Sequence, residues 1–332
     1  MTTALASVPP TQLPSGSDLW LHCPECSSSI GPVSDRDNGF LPANIVCDYC
    51  GHVSTRANGV WRMLSRRQRL CLDGFLRDYE QVRRIEGRGS SHPAFYLALP
   101  FADLTGNFSA QWQIRGRSYR YFERRLLAEL EKRHGGDFRV LDIGAGNCWL
   151  SYRLALRGHH SVAVDVCSNA YDGLEAAAHY SAVLPQFFTR VEAEMNSLPF
   201  ADSQFDVAIY NASFHYSTDY GRTLREALRC LRPGGTILII DSPTYRHAQS
   251  GETMRSERQQ TFKTKFGTRG DALPTGDYLT PDIMANLSNL GICWHRHLAW
   301  YGVRWWLRPA IARLKKRREP SQFYLYEGRA TS

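Results

Sequence analysis

The chain has 332 residues, of which 43% are hydrophobic and 22% charged, a composition that excludes wholesale disorder and a membrane bundle alike. Its formal net charge of +8 permits an anionic partner such as RNA or a lipid surface without requiring one. No window approaches the roughly 20 apolar residues of a spanning helix, and the opening MTTALASVPPTQLPSGSD has neither a basic nor an apolar leader region, so a cytoplasmic location is expected.

Residues 1–18, rich in Pro, Ser and Thr, are expected to be a flexible lead-in, because they have little to bury against the entropy of ordering. Residues 19–60 are turn-rich and hold two CxxC pairs, Cys23-Pro-Glu-Cys26 and Cys47-Asp-Tyr-Cys50, at zinc-ribbon spacing. Four thiolates suit a closed tetrahedral zinc site, which is structural because no position is left open for water. The other cysteines, Cys71, Cys148, Cys167, Cys230 and Cys293, stand alone and read as packing.

Residues 61–135 are expected to form a helical linker and lid. A helix-compatible stretch from Met63 to Glu86 ends at a Gly/Ser break, GRGSS, where a domain boundary is placed. Beyond it Tyr119, Phe122, Leu126, Leu127 and Leu130 recur near the 3.6-residue period. From residue 136 to 330 strands and helices alternate. Strands are expected at Arg139–Ile143, Ser161–Asp165, Phe187–Val191, Phe205–Tyr210 and Thr236–Ile240, with helices at Asn147–Arg157, Ser168–His179 and Thr218–Leu231. Such alternation specifies an α/β fold, a Rossmann-like parallel sheet with helices on both faces, here preceded by the small ribbon. An insertion at about 242–279, with a charged helix around Glu252–Phe266, is expected to help cover the site. Thr280 then caps a helix starting at Pro281, and strands follow at Ile292–Trp300 and Gln322–Glu327.

In VLDIGAGNCWLS a strand delivers Asp142, Gly144 and Gly146 into the turn before a helix. A dinucleotide site would want a glycine where Trp149 stands, and Asp142 would repel a pyrophosphate. A ligand with an amino group and a sulfonium fits better. Asp165 ends the next strand, where a carboxylate can accept hydrogen bonds from ribose hydroxyls.

Residues from about Arg139 to Asp241 resemble the class I methyltransferases that use S-adenosylmethionine, of the type that includes the ubiquinone/menaquinone-biosynthesis enzymes. The resemblance rests on DIGAG, on VAVDV, on EMNSLPFADSQFDVAIYNASFHY and on LRCLRPGGTILIID, in that order. It implies that Asp142, Gly144 and Gly146 surround the methionine part of the cofactor, that Asp165 holds its ribose, that Glu194 and Met195 lie beside the adenine, and that Asn211 lines the pocket floor. Two residues depart from the family pattern. Cys148 replaces the third glycine, which is tolerable if its backbone is already helical, and Glu194 stands where Asp is commoner.

Methyl transfer from a sulfonium needs alignment of the nucleophile and exclusion of water, and a base only for a poorly ionised acceptor. His215 and Tyr216 follow the fourth strand, where open α/β sheets bind ligands, so His215 is the candidate base; its other reading is a pocket-shaping hydrogen-bonding residue. Upstream aromatics such as Trp112 and Tyr119 would either close over the sulfonium or pack in the core. Between Val303 and Arg318, Val303, Trp306, Leu307, Ala310, Ile311 and Leu314 fall at helical spacing with Arg and Lys between them. One reading is peripheral contact with anionic lipid or with RNA phosphate through 303–318; the other is a helix packed on the domain with a solvated basic face.

Three functions are therefore open: methyl transfer to a small-molecule or lipid-linked acceptor, methyl transfer to ribosomal RNA or protein with the ribbon reading the substrate, and a cofactor-binding adaptor without catalysis. Some ribosomal RNA methyltransferases carry a ribbon before this core, but only Arg36 lies as a cation between Cys23 and Cys50 here, and the core most resembles enzymes of small or lipid-like acceptors.

Overall fold

The structure, a computed structural model, describes residues 18–33, 43–268 and 270–330; the lead-in expected over 1–18 lies outside them apart from Asp18. The cysteine-bearing segment makes two antiparallel hairpins, β1 (Leu19–His22) with β2 (Ser29–Val33) and β3 (Ala43–Val46) with β4 (Val53–Ala57), and then β5 (Val60–Arg62). Both CxxC knuckles close alike: the Ser27 N–H donates to the Cys23 carbonyl at 2.9 Å, and that of Gly51 to Cys47 at 2.8 Å. Each turn needs a left-handed residue, which Gly51 (φ 73°) supplies freely and Ser27 (φ 62°) at a cost of about 1 kcal/mol.

A capping box starts α1 (Arg66–Ile85): Ser65 Oγ accepts from the Gln68 N–H, and Gln68 Oε1 accepts from the Ser65 N–H. The GRGSS break after it is packed down. Tyr96 Oη donates to the Tyr171 carbonyl at 2.6 Å, and a Cβ on Gly89 would lie 2.2 Å from that same oxygen. Next come α2 (Pro93–Ala98) and α3 (Ser109–Tyr121), which runs through a π-helical turn (Phe122–Leu127) into α4 (Ala128–His134). The expected apolar face of Tyr119, Phe122, Leu126, Leu127 and Leu130 is buried.

The alternating half comprises β6 (Arg139–Ile143), α5 (Trp149–Ala155), β7 (His160–Asp165), β8 (Thr189–Glu192), β9 (Phe205–Asn211), α6 (Tyr220–Cys230), β10 (Leu231–Thr244), α7 (Ala248–Phe266), α8 (Pro281–Ser288), β11 (Ile292–His297), α9 (Val303–Leu314) and β12 (Gln322–Ala330). The helix expected at Ser168–His179 is reduced to a 3-10 segment, Leu174–Tyr180. Asn169 Oδ1 takes the N–H groups of Tyr171 and Asp172, both at 2.9 Å, and this side-chain turn displaces the first helical turn.

One sheet runs β11-β12-β10-β9-β6-β7-β8-β5-β4-β3. Strands β6 to β10 are parallel and lie in the order β8-β7-β6-β9-β10, which reverses between β6 and β9 and opens a ligand crevice at their carboxyl ends. The ribbon joins this sheet because β5 pairs in parallel with β8, Trp61 opposite Val191. It also shares the core. Leu19, Leu21, Trp61 and Met63 pack with Ile143, Val164 and Val191 on one face of the sheet, while α2 to α5 cover the other. Each such side chain contributes about 1.5–3 kcal/mol when buried.

Helix α9 departs from the packing reading. Trp305 and Arg308 face the domain: the Trp305 ring stacks on Phe323 at 5.5 Å, and Arg308 donates to the Ser321 carbonyl at 2.6 Å. The apolar residues of the sequence pattern point outward instead, Trp306 being 70% and Leu314 84% exposed.

Candidate active site

The β6–α5 turn is held by charges as well as glycines. Asp142 is buried, accepts from Ser151 Oγ at 2.7 Å through one oxygen, and has no partner for the other; burial pushes its carboxyl up to about 7. Gly144 (φ 74°) cannot carry a side chain, since a Cβ there would meet that of Ser213 at 2.3 Å across the crevice. The Gly146 and Cys167 N–H groups each donate to Asp165 at 2.8 Å, and burial raises this carboxyl against their pull. Cys148 sits at φ 62°, so the helical backbone that would have made it a good substitute for glycine is not there.

Glu194 follows β8 and accepts from Asn196 Nδ2 at 3.0 Å and Gln68 Nε2 at 3.4 Å. Asn211 ends β9. These elements bring Asp142, Gly144, Gly146, Asp165, Glu194, Met195 and Asn211 to the wall of a single cavity. Its opposite wall comes from α1 and α3, through Leu72, Phe75, Tyr79, Trp112 and Arg115. Trp112 thus faces the cavity, whereas Tyr119 is core, packed on Phe101, Phe122 and Trp149.

Two of these groups are incomplete. Among the described residues, one oxygen of Asp142 has no partner and Arg115, which lies over the Trp112 ring at 4.9 Å, has no ion pair, unlike its neighbour Arg83, which is bound to Asp172. A buried carboxyl and a guanidinium on facing walls of the cavity fit a zwitterionic amino-acid group, and Asp165 at the end of β7 fits a nucleoside, so the donor set suits S-adenosylmethionine.

A second cavity adjoins the first and shares Phe75, Tyr79, Arg83, Arg115, Ala212 and Tyr216 with it. His215 lines this second space and not the first. Its Nδ1 is 3.4 Å from Ser242 Oγ, and burial beside Arg258 and Arg115 lowers its pKa to about 3, which keeps the imidazole neutral. Asp241 lines the same cavity, directly after the stretch of β10 that pairs with β9. It takes a hydrogen bond from Ser118, has no partner among the described residues for its other oxygen, and is raised by burial to about 6. Its φ of 55° is a strained setting for a non-glycine residue. The roof is the insertion, through Met254, Arg258 and Phe262 of α7.

Neither Arg115 nor Asp241 was legible as a site residue. For Asp241 a signal existed, an acidic residue closing an apolar strand just as Asp142 does. For Arg115, one of three arginines on α3, there was none.

In the ribbon, the Sγ atoms of Cys23, Cys26, Cys47 and Cys50 lie within 4.8 Å of one another, with Cys23–Cys50 at 3.6 Å and Cys26–Cys47 at 3.5 Å. A zinc ion bound to sulfur at about 2.3 Å sets tetrahedral edges of about 3.8 Å, so the four thiols fit it. His22 and His52 contribute no atom to the cluster.

Residues 141–239 match the family model described as a methyltransferase domain. The malonyl-[acyl-carrier protein] O-methyltransferase of Erwinia pyrifoliae is 31% identical over 107 residues, 32% of this chain and 38% of that protein. The demethylmenaquinone methyltransferase of Mycobacterium marinum is 32% identical over 125 residues, 38% of this chain and 49% of that protein. The chain thus spans less than half the length of these relatives. Among solved structures, the Burkholderia thailandensis 1,6-didemethyltoxoflavin-N1-methyltransferase is similar with a TM-score of 0.46 at 17% identity, covering 78% of this chain and 89% of that one. The matched segment holds the β6 turn, Asp165, Glu194 and Asn211, and the chain therefore carries a methyltransferase domain.

Proposed function

We propose that the protein transfers the methyl group of S-adenosylmethionine to a small-molecule or lipid-linked acceptor seated in the second cavity, with a structural zinc in the ribbon. The observation that carries this is the wall shared by the two cavities, which would let a bound methyl donor face a separately bound nucleophile. S-adenosylmethionine supplies the activated methyl group. Asp142 would receive its amino group, Arg115 its carboxylate and Asp165 its ribose, with Glu194, Met195 and Asn211 along the adenine side. Tyr79 and Tyr216, with ring centroids 6.1 Å apart, line both cavities and would stand beside the sulfonium.

On the acceptor side, Asp241 is better suited than His215 to take a proton near neutral pH, because its raised carboxyl lies closer to that range than the lowered imidazole. His215 would orient the nucleophile as a neutral hydrogen-bonding group. A roofed space between α1 and α7 supports a small or lipid-linked acceptor rather than a nucleotide within folded RNA.

The reading is tested by calorimetric titration with S-adenosylmethionine across pH. Binding a cation beside Asp142 favours its ionised form, so affinity is expected to fall about tenfold per pH unit below pH 7 and to level off above it. In Asp142→Asn that dependence should vanish. Absence of binding by the intact, metal-replete protein would leave the adaptor reading.

Asp241 gives a second test that needs no acceptor. Its folded pKa is raised, so the carboxyl costs stability progressively as pH climbs from about 4 through about 6. Asp241→Asn is expected to raise Tm by a few degrees at pH 8 and to change it little at pH 4, as for a site residue strained for function. A lower Tm at pH 8 would assign Asp241 to structure.

A further inference from the structure

From Leu298 to Arg318 the chain has seven arginines and lysines and no acidic residue. Of these, Arg308 is turned toward Ser321 and Arg318 is paired with Glu257 of α7. Arg304, Arg313, Lys315, Lys316 and Arg317 are exposed. The apolar side chains of α9 share that outer surface. With Trp305, Arg308, Pro309 and Ala312 toward the domain, Val303, Trp306, Leu307, Ala310, Ile311 and Leu314 form a continuous outward stripe, and Trp300 and Leu298 in the preceding segment extend it, 65% and 53% exposed. Trp305 and Arg308 fasten the helix in this orientation, because the indole lies between Tyr301 and Phe323 and the guanidinium stacks over it.

We propose that this surface docks on an anionic lipid bilayer, with the apolar stripe inserted among the acyl chains and the surrounding cations against the headgroups. Exposed tryptophans beside a cationic border suit a boundary that is apolar on one side and charged on the other. A second copy of the chain suits it poorly, since a self-complementary contact would bring the cationic border against itself. RNA would engage the cations but leave the stripe in water. Phe323 connects the surface to the acceptor cavity, which it lines while stacking on Trp305. The docking inference does not depend on methyl transfer.

The experiment is flotation of the full, metal-replete protein with phosphatidylcholine vesicles, with and without phosphatidylserine. Binding is expected only with phosphatidylserine, together with a blue shift of tryptophan emission. Arg313→Gln with Lys316→Gln should weaken it by about tenfold or more, and Leu307→Gln with Leu314→Gln should abolish the emission shift. All four side chains are exposed, so Tm should hold. Failure to bind anionic vesicles, binding that the apolar substitutions leave unchanged, a stable dimer that buries α9, or displacement from vesicles by RNA at equal charge would each overturn the proposal.

Discussion

Asp165→Ala is expected to weaken S-adenosylmethionine binding by about 100-fold. A carboxylate that accepts two ribose hydroxyls contributes about 1.5 kcal/mol or more per hydrogen bond, and about 3 kcal/mol is two powers of ten in affinity. Asp165 is fixed for this role, because the Gly146 and Cys167 N–H groups hold its two oxygens at the end of β7. Those same bonds tie the glycine turn to the next strand, so the alanine variant would also loosen the turn. Asp165→Asn separates the two effects, as its single carbonyl oxygen can keep one backbone donor. Titration of both variants, with circular dichroism to verify the fold, is the measurement. Wild-type affinity in Asp165→Ala would remove the ribose from this position and with it the proposed orientation of the cofactor.

Metal loss is expected to reach well beyond the ribbon. Chelation, or Cys47→Ser, should lower Tm by about 10 °C or more, since structural zinc sites contribute several kcal/mol to folding. Were the ribbon tethered through a linker, only the ribbon would unfold. Here Leu21 and Trp61 are core residues, β5 is hydrogen-bonded to β8, and the Met63 N–H donates to the Glu192 carbonyl at 2.9 Å immediately before α1 begins. Helix α1 then supplies Leu72, Phe75 and Tyr79 to the first cavity. S-adenosylmethionine affinity should therefore drop together with Tm. Metal-free protein with unchanged Tm and affinity would show that the four cysteines hold no structural ion.

Local chemistry made much of the molecule legible in advance. Strands β6, β7 and β9 are short apolar runs buried on both faces, and their ends fall within a residue or so of where the pattern puts them. A capping residue marked the start of α8, where Thr280 accepts the N–H group of Ile283, whereas at α6 the structure supplies the cap, Asp219 accepting from Arg222. Each CxxC turn is closed by its own backbone hydrogen bonds, so the shape of each knuckle is local, and the packing of the two hairpins then brings the four thiols together.

The remainder was decided by contacts between distant segments. A side-chain turn at Asn169 replaced an expected helix, and the neighbouring Ser213 loop excludes a side chain at Gly144. Asp241 and Arg115 became site residues only when β10 and α3 were packed around the same space, and His215 was turned into the second cavity. Nor could periodicity orient α9. It identifies an apolar face but not what covers it, and here Trp305 and Arg308 anchor the opposite side, leaving the stripe outward. Composition, periodicity and cap chemistry act within a few residues and so determined most of the elements and their alternation along the chain; the order of the strands in the sheet, which buried charges lack partners, and which apolar faces lack cover depend on residues far apart in the chain and were settled only by tertiary packing.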